Sequence, residues 1–278
     1  GKHNQNGHND GRWNDGNTGE HFAHVVKGAK DFNVEKGVCV KLGDGHLLST
    51  CFDPQTLSYR AVWSEGWLTF GPFRWGSSRG ATIQGKPWFQ IEQAKMPSGG
   101  EYLGLRRFGK RVVFEYRIDS ARIQDEPWSS TNSFFRRIDF LNPSAKVSLP
   151  CQVIDKDIKV SFSKIQGIQN IRWKDGEIIA EGIQKNASVV IRISRDDEDK
   201  EIASVIAHLK NDRKIKKRWN DVLQVPGKLG KPKNGSAYAV DTLNVPYNNP
   251  YNTVMQLTSM AFLPNGDALV ASLPGDIW

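Results

Sequence analysis

The feature that most constrains this fold is a series of short runs rich in Val, Ile and aromatic residues, separated by Gly, Asp, Asn and Pro. Residues 111–118 and 189–193 are typical runs. Such side chains suit a pleated, half-buried surface, and the intervening residues suit turns. Similar runs predict further strands at 58–63, 66–70, 133–140, 158–162, 168–173 and 177–181. The pattern predicts a mainly β fold, an antiparallel β-sandwich.

A β-hairpin is predicted near the start of this series. Residues 38–42 and 46–52 are strand-like, and Gly43-Asp44-Gly45 between them accepts positive φ. This arrangement places Cys39 and Cys51 on facing strands, where a disulfide and two buried free thiols are both open alternatives. The chain has three cysteines and no Cys-x-x-Cys pair, which argues against a structural zinc site or covalent haem attachment within it.

Residues 196–223 are the exception to the β pattern. Apolar residues recur there at helical spacing behind an acidic start, and basic residues follow, as the helix dipole favours. The apolar positions are Ile202, Val205, Ile206 and Leu209. We therefore predict one amphipathic helix, and we expect Trp219 to anchor it to the sheet.

Composition along the chain predicts four segments. Residues 1–30 are rich in Asn, Gly and His and predict a polar N-terminal arm. Residues 31–224 form the predicted β-sandwich domain, and residues 225–236, rich in Pro, Gly and Lys, form a linker. Residues 237–278 contain only two predicted strands, which cannot bury both faces alone. We expect them to be the truncated start of a following domain.

Net charge and hydropathy limit the partners. The formal charge of +8 and pI of about 9.3 permit a polyanion, but basic residues alternate with acidic ones and form a dense run only at 213–218. A phosphate footprint needs one continuous basic face, so we expect no nucleic-acid partner. No apolar run approaches the roughly 20 residues of a bilayer span, so we expect no membrane span.

Several sequence blocks together resemble a known family. They are Gly11-Arg12-Trp13, Lys36 to Gly43, Cys51 to Leu57, Ala61 to Leu68, Arg79-Gly80, Gly85-Lys86-Pro87, Tyr102 to Leu105 and Gly109 to Tyr116. In this order they resemble a domain of unknown function found in large secreted proteins of planctomycete- and verrucomicrobium-type bacteria. The resemblance implies an extracytoplasmic location, periplasmic or secreted.

The C-terminal blocks resemble the entry of another domain. They are Tyr238 to Leu243, Pro246, Asn249-Pro250-Tyr251, Phe262 to Asp267 and Gly275 to Trp278. These are similar to the first strands of a sorbosone/glucose dehydrogenase-like β-propeller, and many relatives carry a c-type haem module farther along. The resemblance implies a following β-propeller domain as partner. It supplies no reaction and no catalytic residues, and we expect no cofactor in this segment.

Tryptophans and polar groups near residues 63–88 are the best candidates for a binding site. Flat aromatic faces can stack on sugar rings, although aromatic side chains serve equally well in a core. The predicted ligand-binding set is Trp63, Glu65, Trp67, Trp75, Arg79 and Trp88. We expect Trp75 and Trp88 to be the most exposed. This set would make the chain a carbohydrate-binding module with a polysaccharide partner.

Catalytic and metal alternatives are weaker. Glycoside hydrolysis needs two carboxyl groups at a defined separation, and the candidates are Asp53, Glu65, Asp119 and Asp125. A metal site would need more convergent ligands than Glu20, His21 and His24, with His3 and His8 as extra candidates. We therefore predict no catalytic residue and no metal. The first hypothesis is a non-catalytic structural or docking module of a larger propeller protein; a carbohydrate-binding module and a polysaccharide-degrading enzyme are the alternatives.

Overall fold

The computed structural model of the chain describes residues 18–70, 80–153, 157–195, 202–210, 222–232, 235, 237–251, 253, 255–272 and 277–278. Strands hold 59% of the described residues and helix holds 4%, and the sheets are arranged as a sandwich. The predicted mainly β fold class is confirmed.

Fourteen strands precede the helix among the residues that the structure describes. They are β1 (His21–Lys27), β2 (Asn33–Leu42), β3 (Leu48–Asp53), β4 (Ser58–Ser64), β5 (Leu68–Thr69), β6 (Ala81–Ile83), β7 (Lys86–Gln90), β8 (Gly100–Phe108), β9 (Arg111–Ile118), β10 (Ala121–Ser129), β11 (Ser133–Phe140), β12 (Ser144–Pro150), β13 (Lys159–Lys174) and β14 (Glu177–Ser194). The helix α1 (Ile202–Lys210) follows, and after it come β15 (Gly227–Lys228), β16 (Thr242–Leu243), β17 (Leu257–Phe262) and β18 (Ala268–Ser272).

Two large sheets make up the sandwich. The first has the order β5-β6-β1-β2-β3-β4-β7, and the second has the order β12-β14-β11-β10-β9-β8, with β13 also pairing with β14. Neighbouring strands are antiparallel except β1 and β6, which are parallel. Most neighbours in space are neighbours in sequence, as expected for hairpin-connected antiparallel sheets.

The main core lies between the two sheets. Val38, Val40 and Leu42 alternate along β2 and face this core, because successive side chains of a strand point to opposite faces. Phe52 from the first sheet stacks on Phe114 from the second, with ring centroids 4.1 Å apart. Stacked aromatic rings therefore join the sheets at the centre of the sandwich.

A second core covers the opposite face of the first sheet. Cys39, Cys51 and Trp63 point into it, together with Phe22 and Val26 of β1. Burial on both faces explains why every residue of β3 is buried and why β4 is buried as far as its last residue.

A buried polar network interrupts the main core. Arg136 on β11 is 1% exposed and binds Asp125 on β10, which is fully buried, at 2.6 Å. Tyr59 and Tyr116 donate their hydroxyl hydrogens to the two Asp125 oxygens at 2.9 Å. Arg136 also donates to the carbonyl oxygen of Pro150 at 2.9 Å. The network links strands of both sheets, because Tyr59 belongs to the first.

Helix α1 packs on the second sheet, as its predicted apolar face requires. Val205, Ile206 and Leu209 are buried against a cluster that includes Trp128 of β10. The His208 ring stacks on Trp128 with centroids 4.0 Å apart. The remainder of the predicted helix, including Trp219, lies outside the described residues.

Arginines of the second sheet cap the helix C-terminus. Arg111 donates to the Leu209 carbonyl oxygen at 3.1 Å, and Arg137 donates to the same atom. Arg111 is itself held by Glu126 at 2.5 Å. Cations at this end offset the negative end of the helix dipole and satisfy a carbonyl that lacks a helical partner.

Two boundaries differ from the prediction. Residues 21–27, expected within the polar arm, form β1, because Phe22 and Val26 supply apolar side chains to the second core. The two pairs of short strands predicted at 158–173 and 177–193 are two long strands, β13 and β14. Gly167 and Gly182 have positive φ and lie within these strands, and the pairing shifts register near Gly167. The turn-like residues therefore mark irregular positions inside the long strands and not the ends of short ones.

The C-terminal strands form two separate pairs, β15 with β16 and β17 with β18. Every residue of β17 is exposed. Within the part of the chain that the structure describes, no helix has both the length and the apolar character needed to cross a bilayer.

Candidate ligand-binding cleft

Trp63 lies in the second core, where its whole side chain is buried. Its indole Nε1 donates to the carbonyl oxygen of Trp67 at 3.1 Å, and the two rings stack with centroids 6.2 Å apart. A side chain in this position offers no ring face to a ligand. Trp63 was considered as a ligand-stacking residue or as a core residue, and in the structure it is a core residue.

Trp67 is half-buried at the edge of the second core. Its Nε1 donates to the Thr18 hydroxyl at 3.0 Å, and the Lys41 ammonium lies 5.1 Å from the ring centroid. The His46 ring meets it edge-on at 5.7 Å. Neighbouring side chains thus surround the ring, and they hold it as part of the wall of the sandwich.

His46 is a perturbed titratable group beside this tryptophan. Burial, with a smaller contribution from the Lys41 charge, lowers the pKa of His46 to about 4. Its Nε2 lies 2.6 Å from the Ser49 hydroxyl oxygen, which donates to the Gly66 carbonyl oxygen at 3.1 Å. The neutral imidazole therefore stabilises the β2–β3 turn against the segment after β4.

Glu65 and Trp88 share a cleft at one end of the sandwich. The cleft encloses about 400 Å³ and receives residues from the β2–β3 turn, the end of β4, β7, the β10–β11 turn and the end of β14. Its lining is Leu47, Ser64, Glu65, Trp88, Thr131, Asn132 and Arg195. Loops of both sheets converge here, so the rigid strands hold polar groups around one aromatic ring.

The charged groups of the cleft are held by specific contacts. Glu65 adopts a left-handed φ of 59° just after β4, and its carboxylate lies 2.9 Å from the Lys86 ammonium. Arg195 donates to the Trp88 carbonyl oxygen at 3.3 Å, and its guanidinium carbon lies 5.7 Å from the Trp88 ring centroid. The prediction that Trp88 is among the most exposed tryptophans is wrong, because the ring is half-buried and packs against the main core. The cleft thus combines a half-buried aromatic ring, hydroxyl and amide groups, and charges of both signs.

The other predicted carboxylates serve the fold. Asp53 is buried at the β3–β4 turn, where it binds the Arg60 guanidinium at 2.9 Å and accepts the Gln55 backbone N–H. Asp125 is enclosed by the buried network described above. Asp119 has positive φ at the β9–β10 turn. Of the described residues that line the cleft, Glu65 is the one carboxylate.

Several predicted groups have other positions. Trp75 and Arg79 lie outside the described residues, as do His3 and His8. His21 and His24 are on β1 beside the second core. Across the described ranges, no group of three or more His, Cys, Asp or Glu side chains is placed to hold a metal ion.

The sequence did not reveal Thr131, Asn132 and Arg195 as cleft residues. They are distant from Glu65 and Trp88 in the chain, and only the pairing of strand ends brings them together. The β10–β11 pairing predicts that a turn must lie between these strands, but it gives no sign of which loop from the other sheet faces that turn. Only the tertiary structure shows that these three residues line the same cleft as Glu65 and Trp88.

A comparison with protein-family models matches residues 50–125 to a domain of unknown function, DUF6797. The match runs from β3 into β10, and so includes Glu65 and Trp88 but not the arginine at the end of β14. Searches of curated proteins and of solved structures find no significant match. The predicted domain of unknown function is therefore confirmed for residues 50–125, which the chain carries within its sandwich.

Proposed function

We propose that this chain is a non-catalytic β-sandwich module that docks an adjoining β-propeller domain in a larger extracytoplasmic protein. The observation that carries the proposal is the β17–β18 hairpin. Met260 is 57% exposed and Phe262 is 71% exposed, and Leu257 and Leu269 are also exposed. Met260 and Phe262 share one face of the hairpin, and Leu269, which pairs with Ala261, lies on the other face. Apolar side chains on both faces favour an interaction surface.

The geometry of the hairpin indicates the kind of partner. A two-stranded ribbon is marginal in water, and unpaired strand edges readily accept further strands. A propeller blade is a four-stranded sheet, so the hairpin has the size of half a blade. Two further strands of an adjoining propeller would pair with its backbone and cover its apolar side chains. The resemblance of Phe262 to Asp267 to a propeller entry supports the same partner.

A hydrophobic dye tests whether the hairpin is an open surface. The variant Met260→Ser/Phe262→Ser should lose most of the dye fluorescence of the 278-residue chain, while the melting temperature of the sandwich stays unchanged. Leu103→Ser is the matched control, because Leu103 is exposed on β8. Unchanged fluorescence in the hairpin variant, or an equal loss in Leu103→Ser, would contradict the proposal.

The cleft favours a second candidate function, carbohydrate binding. Glu65 and Trp88 come from different strands and line the same opening, together with Thr131, Asn132 and Arg195. Sugar rings offer apolar faces to an aromatic ring and hydroxyl groups to surrounding donors and acceptors. The cleft is a polar site, and it shares no lining residue with the apolar β17–β18 hairpin. One chain can therefore have both functions.

Affinity electrophoresis with soluble polysaccharides tests the cleft. Trp88→Ala should abolish retardation, with at least about a tenfold loss of affinity, equivalent to 1.4 kcal/mol. Trp173→Ala is the matched control, since Trp173 is a partly exposed tryptophan on β13 outside the cleft lining. Equal retardation of the two variants would contradict carbohydrate binding. A hydrolytic activity lost in Glu65→Gln would contradict the non-catalytic assignment.

A further inference from the structure

Two of the three cysteines face each other in the second core. Cys39 on β2 and Cys51 on β3 are direct partners in the antiparallel register. Both are fully buried free thiols, and the neighbouring Cys51 side chain helps to raise the pKa of Cys39. Phe22 and Ala61 flank them on the neighbouring strands. Directly opposed residues have Cβ atoms about 4.5–5.5 Å apart, close to the spacing that a disulfide spans.

The surroundings accommodate the sulfur atoms as a pair. A Cβ atom at Gly37 would lie 2.8 Å from the Cys51 Sγ, so glycine at this position leaves space for that sulfur. The third cysteine, Cys151, is in the main core, and its carbonyl oxygen accepts the indole hydrogen of Trp173. Its position in another cluster keeps Cys151 apart from the pair in the second core.

We infer that Cys39 and Cys51 form a structural disulfide under oxidising conditions, and that Cys151 remains a thiol. The bond would join β2 to β3 on the face that the second core covers, and it would fix two central strands of the first sheet. The loop that it closes runs from residue 39 to residue 51 and contains the β2–β3 turn.

The chemistry is thiol–disulfide exchange with a small disulfide such as oxidised glutathione. One cysteine thiolate attacks the glutathione disulfide and releases one glutathione thiolate, which leaves a mixed disulfide. The second cysteine thiolate then attacks the protein-bound sulfur and releases the second glutathione. Two cysteine protons are lost, and two electrons reduce the oxidised glutathione to two thiols.

Because both thiols are buried in the folded chain, we expect the exchange to take place during folding. In the folded chain, burial and the neighbouring Cys51 raise the pKa of Cys39 well above its ordinary value. A protonated, enclosed thiol reacts slowly, because the thiolate is the nucleophile. The bond should therefore form before the second core closes, and it should resist reductants while the chain stays folded.

Peptide mapping tests the pairing directly. The full chain is refolded in a glutathione redox buffer, alkylated in denaturant without reductant and digested with trypsin. Cleavage after Lys41 separates peptide 37–41 from peptide 42–60, so a Cys39–Cys51 disulfide links these two peptides. The expected result is that linked pair with the alkyl label on Cys151. Labels on all three cysteines, or a link through Cys151, would overturn the inference.

Variants separate pairing from folding. Cys151→Ser should retain the linked peptides and take up no label. Wild-type chain that is reduced in denaturant and refolded with reductant present should melt roughly 5–10 °C below the oxidised chain, the scale expected for closing a loop of this length. Cys39→Ser should melt at the lower temperature whether or not reductant is added. An unchanged melting temperature on reduction would contradict a structural role for the bond.

Discussion

The buried Asp125–Arg136 pair gives the sharpest test of the sandwich core. Asp125→Ala removes the carboxylate that accepts hydrogen bonds from Arg136, Tyr59 and Tyr116. Burial lowers the pKa of Arg136, and in the wild-type chain the Asp125 charge outweighs this and raises the pKa well above its ordinary value. Asp125→Ala removes that compensation, and because an arginine side chain keeps its proton in proteins, the guanidinium is left charged in the core. The substitution therefore leaves a charge and two hydroxyl groups buried without their acceptor.

The expected loss is large. Breaking a buried pair costs about 3–5 kcal/mol, and each orphaned hydroxyl adds about 1–3 kcal/mol, although these contributions are not additive. We expect Asp125→Ala to lower the free energy of unfolding by about 5 kcal/mol. Asp125→Ala/Arg136→Met should recover much of this loss, because apolar replacement of both partners removes the uncompensated charge.

Urea unfolding followed by tryptophan fluorescence measures the effect. The matched control is Glu101→Ala, since Glu101 binds Arg117 at 2.5 Å while both side chains are half-exposed. An exposed pair contributes about 0–1 kcal/mol. Similar losses for Asp125→Ala and Glu101→Ala, or a loss below about 1 kcal/mol for Asp125→Ala, would refute the reasoning.

Three further predictions follow from local contacts. NMR titration should give His46 a pKa of about 4, against 6.5 in the unfolded chain. The contribution of His46 to stability is therefore present above pH 6.5 and is lost as pH falls toward 4. A pKa near 6.5 in the folded chain would contradict the burial described. Trp128→Ala should release α1, which limited proteolysis would detect as new cleavage within 202–210, whereas an uncut helix would show that the Trp128–His208 stack is dispensable. Gly66→Ala should cost about 1–3 kcal/mol in urea unfolding, because its Cβ would lie 2.2 Å from the Gln84 carbonyl oxygen. The cost should exceed that of Gly227→Ala, where the nearest atom is the flexible Leu243 side chain at 3.2 Å.

The strands were predictable where composition and periodicity agreed. The runs at 111–118 and 133–140 match β9 and β11, because their β-branched and aromatic residues are bounded by turn residues. β1 was not predicted, because Phe22 and Val26 are its only buried residues and a polar segment precedes them in the sequence. Its stability comes from the second core, which depends on contacts with β2, β5 and β6 that no local pattern encodes.

The candidate site was predictable only in part. Glu65 and Trp88 were identified from an aromatic-rich segment, and the structure places both in one cleft. Trp63 shows the limit of that reasoning, because alternation alone does not say which face of β4 is covered. Here the main core covers one face and the second core covers the other. The buried Asp125–Arg136 pair was missed for a similar reason, since its partners come from strands of both sheets.

Hydrogen exchange of the β17–β18 amides tests the proposal that this hairpin is the surface on which an adjoining propeller domain docks. In the 278-residue chain, amides of 257–262 should exchange far faster than those of β9–β11. In the longer polypeptide that includes the proposed propeller, the same amides should become at least about a hundredfold slower. Protection equal to β9–β11 in the shorter chain, or unchanged exchange in the longer one, would contradict the account.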